Sequence, residues 1–205
     1  MSHPWKHFKT ITKHRHKVMG LCRRVGIGYQ GLFHDLSKYS PTEFIPGAKY
    51  YLGTRSPNER ERELFGYSAA WLHHKGRNKH HYEYWYDVNM QKHIYEPVKM
   101  PVRWVAEMFC DRVAASKIYG GDAYTDAYAY DYFVRGEAGK KMHPETAALL
   151  ESWLILLRDR GEEAALDAVR RAVATEKKQK KDHKAARRKQ HTNLRRIPAS
   201  KSEKR

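Results

Sequence analysis

The sequence predicts an all-α fold, a helical bundle over residues 1–177 followed by a basic tail over 178–205. Three observations predict it. Apolar residues recur every three or four positions through most of the chain. Pro, Ser and Gly punctuate that pattern at helix starts and stops, and no stretch alternates with the period of two that a half-buried strand requires. With 40% hydrophobic residues in 205, the chain can bury one core.

Phe8, Ile11, Val18, Cys22 and Val25 set a helix over 5–25, ended by Gly26 and Gly28. A second, shorter helix is read over 29–38. Ser40-Pro41-Thr42-Glu43 puts Pro in a first turn with an acid behind it, so a helix starts there and runs through Leu52 to the stop at Gly53. Ser56-Pro57-Asn58-Glu59 starts the next, which reaches about Lys75 and breaks at Gly76-Arg77-Asn78. Residues 79–86 supply one or two further turns, and 87–100, punctuated by Pro97, read as a loop. Pro101 to Tyr119 is the clearest helix, stopped by Gly120-Gly121. The Tyr-rich stretch 122–137 has no decisive period. Residues 144–160 and 162–178 read as two amphipathic helices joined at Gly161. Beyond 178 the chain is rich in Lys, Arg and Gln. Its few apolar groups do not offset chain entropy, which predicts disorder or a frayed helix.

The formal net charge of +17 is uneven. Residues 176–205 hold 13 Lys/Arg against 3 Asp/Glu, whereas 1–175 hold 27 against 20. The tail is therefore the part expected to meet a polyanion such as nucleic acid; a passive, solvated tail is the alternative. Cys22 and Cys110 lie in apolar helical patterns and suit buried thiols in a reducing compartment better than a disulfide. No run reaches membrane-span length, and Met1 to Lys9 lacks the apolar core of a signal peptide. The expectation is a cytoplasmic protein without a membrane partner; the sequence leaves the oligomeric state open.

Thirteen histidines supply the candidate chemistry. His34-Asp35 sits between Phe33 and Leu36, an apolar setting in which a charged pair needs a partner. Imidazole and carboxylate together suit Zn, Mn, Fe or Ni. Glu107 and Asp111 are four residues apart in the clearest helix and share one face. Two carboxylates there repel unless a cation lies between them; pairing with Arg103, Arg112 or Lys117 is the plainer alternative. His73, His74, His80 and His81 fall within a segment flanked by Trp71, Leu72, Tyr82, Tyr84 and Trp85, which argues that part of it faces inward. Arg77, Lys75 and Lys79 beside them can take a phosphate or carboxylate. In the first helix the apolar stripe runs nearer His14 than His16, so His14 is the inward candidate. His3, His7, His93, His143, His183 and His191 have no such context and are read as surface residues.

In order, His14, His34-Asp35, the His73–His81 cluster and Asp111 resemble the HD-domain metal-dependent phosphohydrolase superfamily. That resemblance implies a helical bundle in which His, His-Asp and Asp from separate helices converge on one metal, with intervening histidines marking members that hold more. His34-Asp35-Leu36-Ser37-Lys38 also resembles the His-Asp-x-Gly-Lys motif of the HD-GYP branch, which implies that Lys38 touches phosphate. His73-His74-Lys75-Gly76 is similar to that branch's His-His-Glu segment, but the Gly-Tyr-Pro part is missing, so cyclic-dinucleotide hydrolysis is not implied. The chain more closely resembles an uncharacterised family of bacterial and phage proteins. The matching stretches are residues 31–44, 73–85 and 100–119, and the resemblance covers about residues 5–160.

The expected function is a phosphohydrolase holding one or two divalent ions (Mn, Fe, Zn, Ni or Mg) on His14, His34, Asp35, Asp111 and the histidine cluster. It would act on a nucleotide or another phosphorylated small molecule. Lys38, Arg77 and Lys75 would neutralise phosphate oxygens, and Glu107 would act as a base or orient a ligand. Two alternatives use the same residues: a di-iron oxygenase or redox enzyme, and a non-enzymatic nucleic-acid-binding accessory protein with a structural metal.

Overall fold

The computed structural model describes residues 2–195, with side chains through residue 188. It is an all-α bundle. The helices are α1 (Pro4–Arg24), α2 (Gly28–Leu32), α3 (Pro41–Lys49), α4 (Pro57–Phe65), α5 (Ala69–Lys75), α6 (Val102–Gly120), α7 (Tyr128–Arg135) and α8 (Pro144–Arg195). Short 3-10 turns cover Leu36–Tyr39, Tyr82–Tyr84, Gly121–Ala123 and Ala138–Lys141.

Helix α6 is the axis of the molecule. Val105, Ala106, Met108, Phe109, Cys110, Val113 and Ala114 are buried on several of its faces, the pattern of a helix enclosed by others. It packs on α8 through Leu150, Leu154, Leu157 and Val169, and on α1 through Val18, Leu21 and Cys22. Each fully buried Leu or Phe contributes about 1.5–3 kcal/mol, so these contacts fix α1 and α6 side by side. Helices α2 and α3 in turn pack on α1.

Helix α8 bends at Gly161, whose φ of 79° and ψ of 175° are non-helical. This is the joint the sequence places between two helices. Arg24 of α1 and Lys117 of α6 both pair with Glu162 just past the bend. The helix does not stop near 178. It continues through Arg195, exposed on all sides over 177–188, so the helical alternative describes this part of the expected tail. Residues 196–205 lie outside the described residues.

Three other readings change. The single helix expected over 57–75 is two, because Gly66 ends α4 at a positive φ of 78° and Ser68 caps α5 by accepting from the Trp71 amide. The second helix stops at Leu32, and Asp35 follows in a turn rather than in a helix. Within 87–100 there is a hairpin, β1 (Tyr86–Asn89) against β2 (Ile94–Pro97), with Val88 opposite Tyr95 and Asn89 opposite Ile94. Its strands are four residues long and largely exposed, so no burial alternation marks them.

Two glycines of the α1–α2 region make a direct test of this packing. A Cβ on Gly31 would sit 2.6 Å from Cys22 Cβ, whereas one on Gly20 would meet nothing within 4 Å. Gly31→Ala is expected to destabilise the protein by about 1–3 kcal/mol through overpacking. Gly20→Ala, in the middle of α1, is expected to stabilise it by about 0.5–1 kcal/mol. Urea denaturation of both variants checks this, and equal stability of the two would contradict the close approach of α2 to α1.

Candidate metal centre

Four chain segments deliver one cluster. Helix α1 supplies His14 from the stripe that also buries His7, Ile11 and Val18. The turn after α2 supplies His34 and Asp35; the close approach at Gly31 sets that turn against α1. Asp35 adopts the left-handed region at φ 53°, a conformation Asp tolerates better than most residues and one that collects at functional sites. Helix α5 and the loop after it supply His74, His80 and His81. Helix α6 supplies Asp111, with Glu107 one turn before it.

Asp35 is the hub. Its Oδ2 lies 3.3 Å from His34 Nε2 and 3.9 Å from His14 Nε2, and its Oδ1 lies 3.2 Å from His74 Nε2 and 3.4 Å from His80 Nε2. Asp111 Oδ1 closes the first side at 2.9 Å from His14 Nε2 and 3.5 Å from His34 Nε2. The ligand atoms of His14, His34, Asp35 and Asp111 lie within 4.8 Å of one another, as do those of Asp35, His74, His80 and His81.

The other ring nitrogens are held from behind. His34 Nδ1 and His80 Nδ1 lie 2.9 and 3.2 Å from Glu107 Oε1, and Gln30 donates to the second Glu107 oxygen. His74 Nδ1 lies 2.7 Å from Glu43 Oε2. On a neutral ring a carboxylate accepting from Nδ1–H fixes the tautomer that has its lone pair on Nε2, the arrangement in which an outer carboxylate orients a metal-ligating histidine.

The inner atoms have no such partners. The Nε2 atoms of His14, His34, His74, His80 and His81, and both Asp35 oxygens, are buried and make no well-formed hydrogen bond; their near neighbours are one another, Asp111 Oδ1 at 2.9 Å from His14 Nε2 and Lys38 Nζ at 2.5 Å from Asp35 Oδ2. Buried polar atoms in folded proteins are almost always satisfied, and seven of the exceptions among the described residues gather around Asp35. A cation within each of the two groups would meet the lone pairs and carboxylate oxygens that face inward. The residues therefore fit a metal, and these buried His/Asp/Glu groups can hold an ion.

The electrostatics divide the histidines: burial would lower His34 and His74, but the carboxylates beside them, Asp35 foremost, raise both above the ordinary imidazole value in the metal-free chain. Burial alone would raise the Asp35 carboxyl, but His34, Lys38 and His74 beside it hold it well below the usual carboxylate range. Asp111 is likewise held down against its burial, by His14 and His34. Burial keeps His14 and His81 below the ordinary imidazole value, so both stay neutral and able to ligate. The centre opens on a cavity of about 830 Å³, lined by His14, His74, His81 and Asp111 and by Lys38, whose Nζ lies 2.5 Å from Asp35 Oδ2.

Not every residue singled out in the sequence takes its expected place. His14, His34, Asp35, His74, His80, His81, Asp111 and Lys38 come together. His73 does not: its Nδ1 lies 2.6 Å from Glu43 Oε1, and it belongs to neither group of ligands. Arg77 is exposed and donates to the His73 carbonyl, and neither it nor Lys75 lines the cavity. Glu107 faces the Nδ1 atoms of His34 and His80 and does not line the cavity, the place of the orienter in the expectation rather than of the base. His7, read as a surface residue, is buried. Glu43 was missed as an orienting residue, because its place in the first turn of α3 reads as a helix-start acid.

Fold and site together define an all-α protein with buried histidine and carboxylate groups able to hold a metal ion. Residues 3–155 match a family of unknown function, DUF5662, and the chain belongs to that family. The match contains every residue of the centre and ends before Gly161 and the basic helix. No curated protein and no solved structure matches the chain. Among the described residues, no helix is long and apolar enough to cross a membrane.

Proposed function

We propose that this protein is a metal-dependent phosphohydrolase acting on a nucleotide or another small phosphoester, with two divalent ions that share Asp35. One set of ligands is His14, His34, Asp35 and Asp111; the other is Asp35, His74, His80 and His81. The observation that carries this reading is the convergence of histidine and aspartate ligand atoms from four chain segments on the two Asp35 oxygens, within 4.8 Å of one another in each set. Divalent ions so placed supply a water of lowered pKa and a Lewis acid for a phosphoryl oxygen. The imidazole-rich donor set suits Mn, Fe, Zn or Ni better than Mg.

The chain's own residues do the positioning. Glu107 and Glu43 fix the tautomer and ring plane of His34, His80 and His74. Lys38 stands at the cavity side of Asp35; burial would lower its pKa, but Asp35 and Asp111 raise it, so it stays charged and available to a phosphoryl oxygen. Resemblance to the HD-domain superfamily supports the same chemistry. The test is phosphate release from a panel of nucleotides and phosphoesters by protein loaded in turn with Mn, Fe, Zn, Ni and Mg. Divalent-metal-dependent release is expected, and no release from any of them with metal bound would contradict the reading.

The three-imidazole ligand set also favours a second reading, a di-iron enzyme reacting with oxygen. Two irons per chain, visible absorption and oxygen consumption would select it.

The exposed basic helix supports a separate partner. Over residues 177–188 it has no buried face, and Lys178, Lys181, Lys184 and Arg187 lie along it. A helix polar all round has nothing to pack against, and its charge suits phosphate backbones. Binding of nucleic acid to the full chain is expected to fall steeply with salt and to be lost on deletion of residues 178–205. Unchanged binding after that deletion would remove the helix from the account.

A further inference from the structure

We infer that Arg112 and Arg62 form an anion subsite beside the metal centre that takes a second phosphate of the substrate; the assignment rests on the hydrolase reading of that centre. Arg112 follows Asp111 on α6 and lines the same cavity. Its guanidinium lies 5.8 Å from the Phe133 ring, and its Nε is buried without a hydrogen-bond partner. Arg62 reaches the cavity from α4. Its guanidinium lies 5.4 Å from the Trp71 ring, and that ring packs on His81 at 4.7 Å and His74 at 5.5 Å. One arginine is thus adjacent in sequence to a ligand of the first group. The other is one aromatic layer away from two ligands of the second.

Three other cations of the cavity wall are engaged. Arg55 pairs with Glu63, Lys38 with Asp35, and Lys141 donates to the Gly136 carbonyl. Arg62 and Arg135 are both exposed, but Arg62 lies over the Trp71 ring that packs on His74 and His81, whereas Arg135 lies over the Tyr132 ring. Among the described residues, neither Arg62 nor Arg112 makes an ion pair. Of the carboxylates of the wall, Glu59 lies toward Arg55, Glu43 pairs with His73 and His74, and Asp111 with His14 and His34. Two further guanidinium forks, both rigidified on aromatic rings, suit a second planar-edged anion, and phosphate matches that fork.

The test is calorimetric titration of the metal-loaded full chain with inorganic pyrophosphate and with orthophosphate, alongside hydrolysis of a nucleoside triphosphate and the matching monophosphate. Pyrophosphate is expected to bind at least about tenfold tighter than orthophosphate, the increment of one or two charged hydrogen bonds. Arg112→Gln and Arg62→Gln, on different helices, are each expected to remove most of that preference while metal content and thermal stability stay those of the wild type. Arg112→Lys is expected to recover only part of it. No preference in the wild type, or a preference kept in both variants, would overturn the subsite even if the protein hydrolyses phosphoesters. A preference lost in the variants without any hydrolysis would leave the subsite standing and remove the hydrolase reading.

Discussion

Asp35→Asn is expected to strip metal from both halves of the centre and to lower phosphoester hydrolysis by about 10³-fold or more. The size of the effect follows from position. Each Asp35 oxygen faces a different set of imidazoles, so in the proposed two-ion centre one amide would replace a ligand of both ions and remove a negative charge between them. The substitution keeps the shape of the side chain, and its Nδ2 still finds acceptors nearby, so the fold is expected to survive. Metal analysis on folded variant, together with the rate, separates loss of ligand from loss of structure. Full metal content and activity in Asp35→Asn would contradict the shared-ligand assignment.

The second large effect is on stability. Glu107 is buried at 2% exposure and faces the Nδ1 atoms of both His34 and His80. Glu107→Ala removes that acceptor and leaves two buried N–H groups unsatisfied, at a cost of about 3–5 kcal/mol. Glu107→Gln keeps the volume and one acceptor, and is expected to weaken metal affinity about 10–100-fold with a smaller loss of stability. The pH dependence carries a sign. Burial would raise the Glu107 carboxyl, but His34 and His80 lower it from 4.5 to about 2. A depressed carboxyl stabilises the fold fully above the unfolded value and loses that contribution as pH falls from 4.5 toward 2. Acid unfolding of metal-free protein should therefore be steeper through this range in the wild type than in Glu107→Gln. Identical acid transitions would place the stabilisation elsewhere.

Much of this was legible in the sequence, for physical reasons. Helices with Pro at the start and Gly at the end read correctly, as α6 and the bend at Gly161 show. His34-Asp35 and Asp111 stood out because charged groups in apolar runs require partners. The reading of α1 shows what was missed within reach: His7, Ile11, His14 and Val18 recur at intervals of four, three and four, so His7 lies on the buried stripe. Choosing Phe8 for its hydrophobicity put the stripe's first residue one position off, and Phe8 is in fact among the exposed large apolar residues. Gly66 and Ser68 were likewise available as a stop and a cap within the helix read over 57–75.

Other features were not legible. His73 and His74 are neighbours of the same chemistry, and only the position of Glu43, thirty residues away in sequence, shows that His74 keeps its Nε2 turned toward Asp35. Glu107 and Asp111 share a helix face, yet one faces the backs of the imidazoles and the other the cavity. That difference depends on where α2 and the loop after α5 pack. The hairpin gave no period because its four-residue strands are exposed on both faces.

Metal content of the purified full chain, with the ligand types read from X-ray absorption at the bound metal's edge, tests the central claim most directly. A bound divalent metal in a first shell dominated by imidazole nitrogen, with carboxylate oxygen completing it, is the expected result. Folded protein that carries no metal and takes up none from Mn, Fe, Ni or Zn would contradict it.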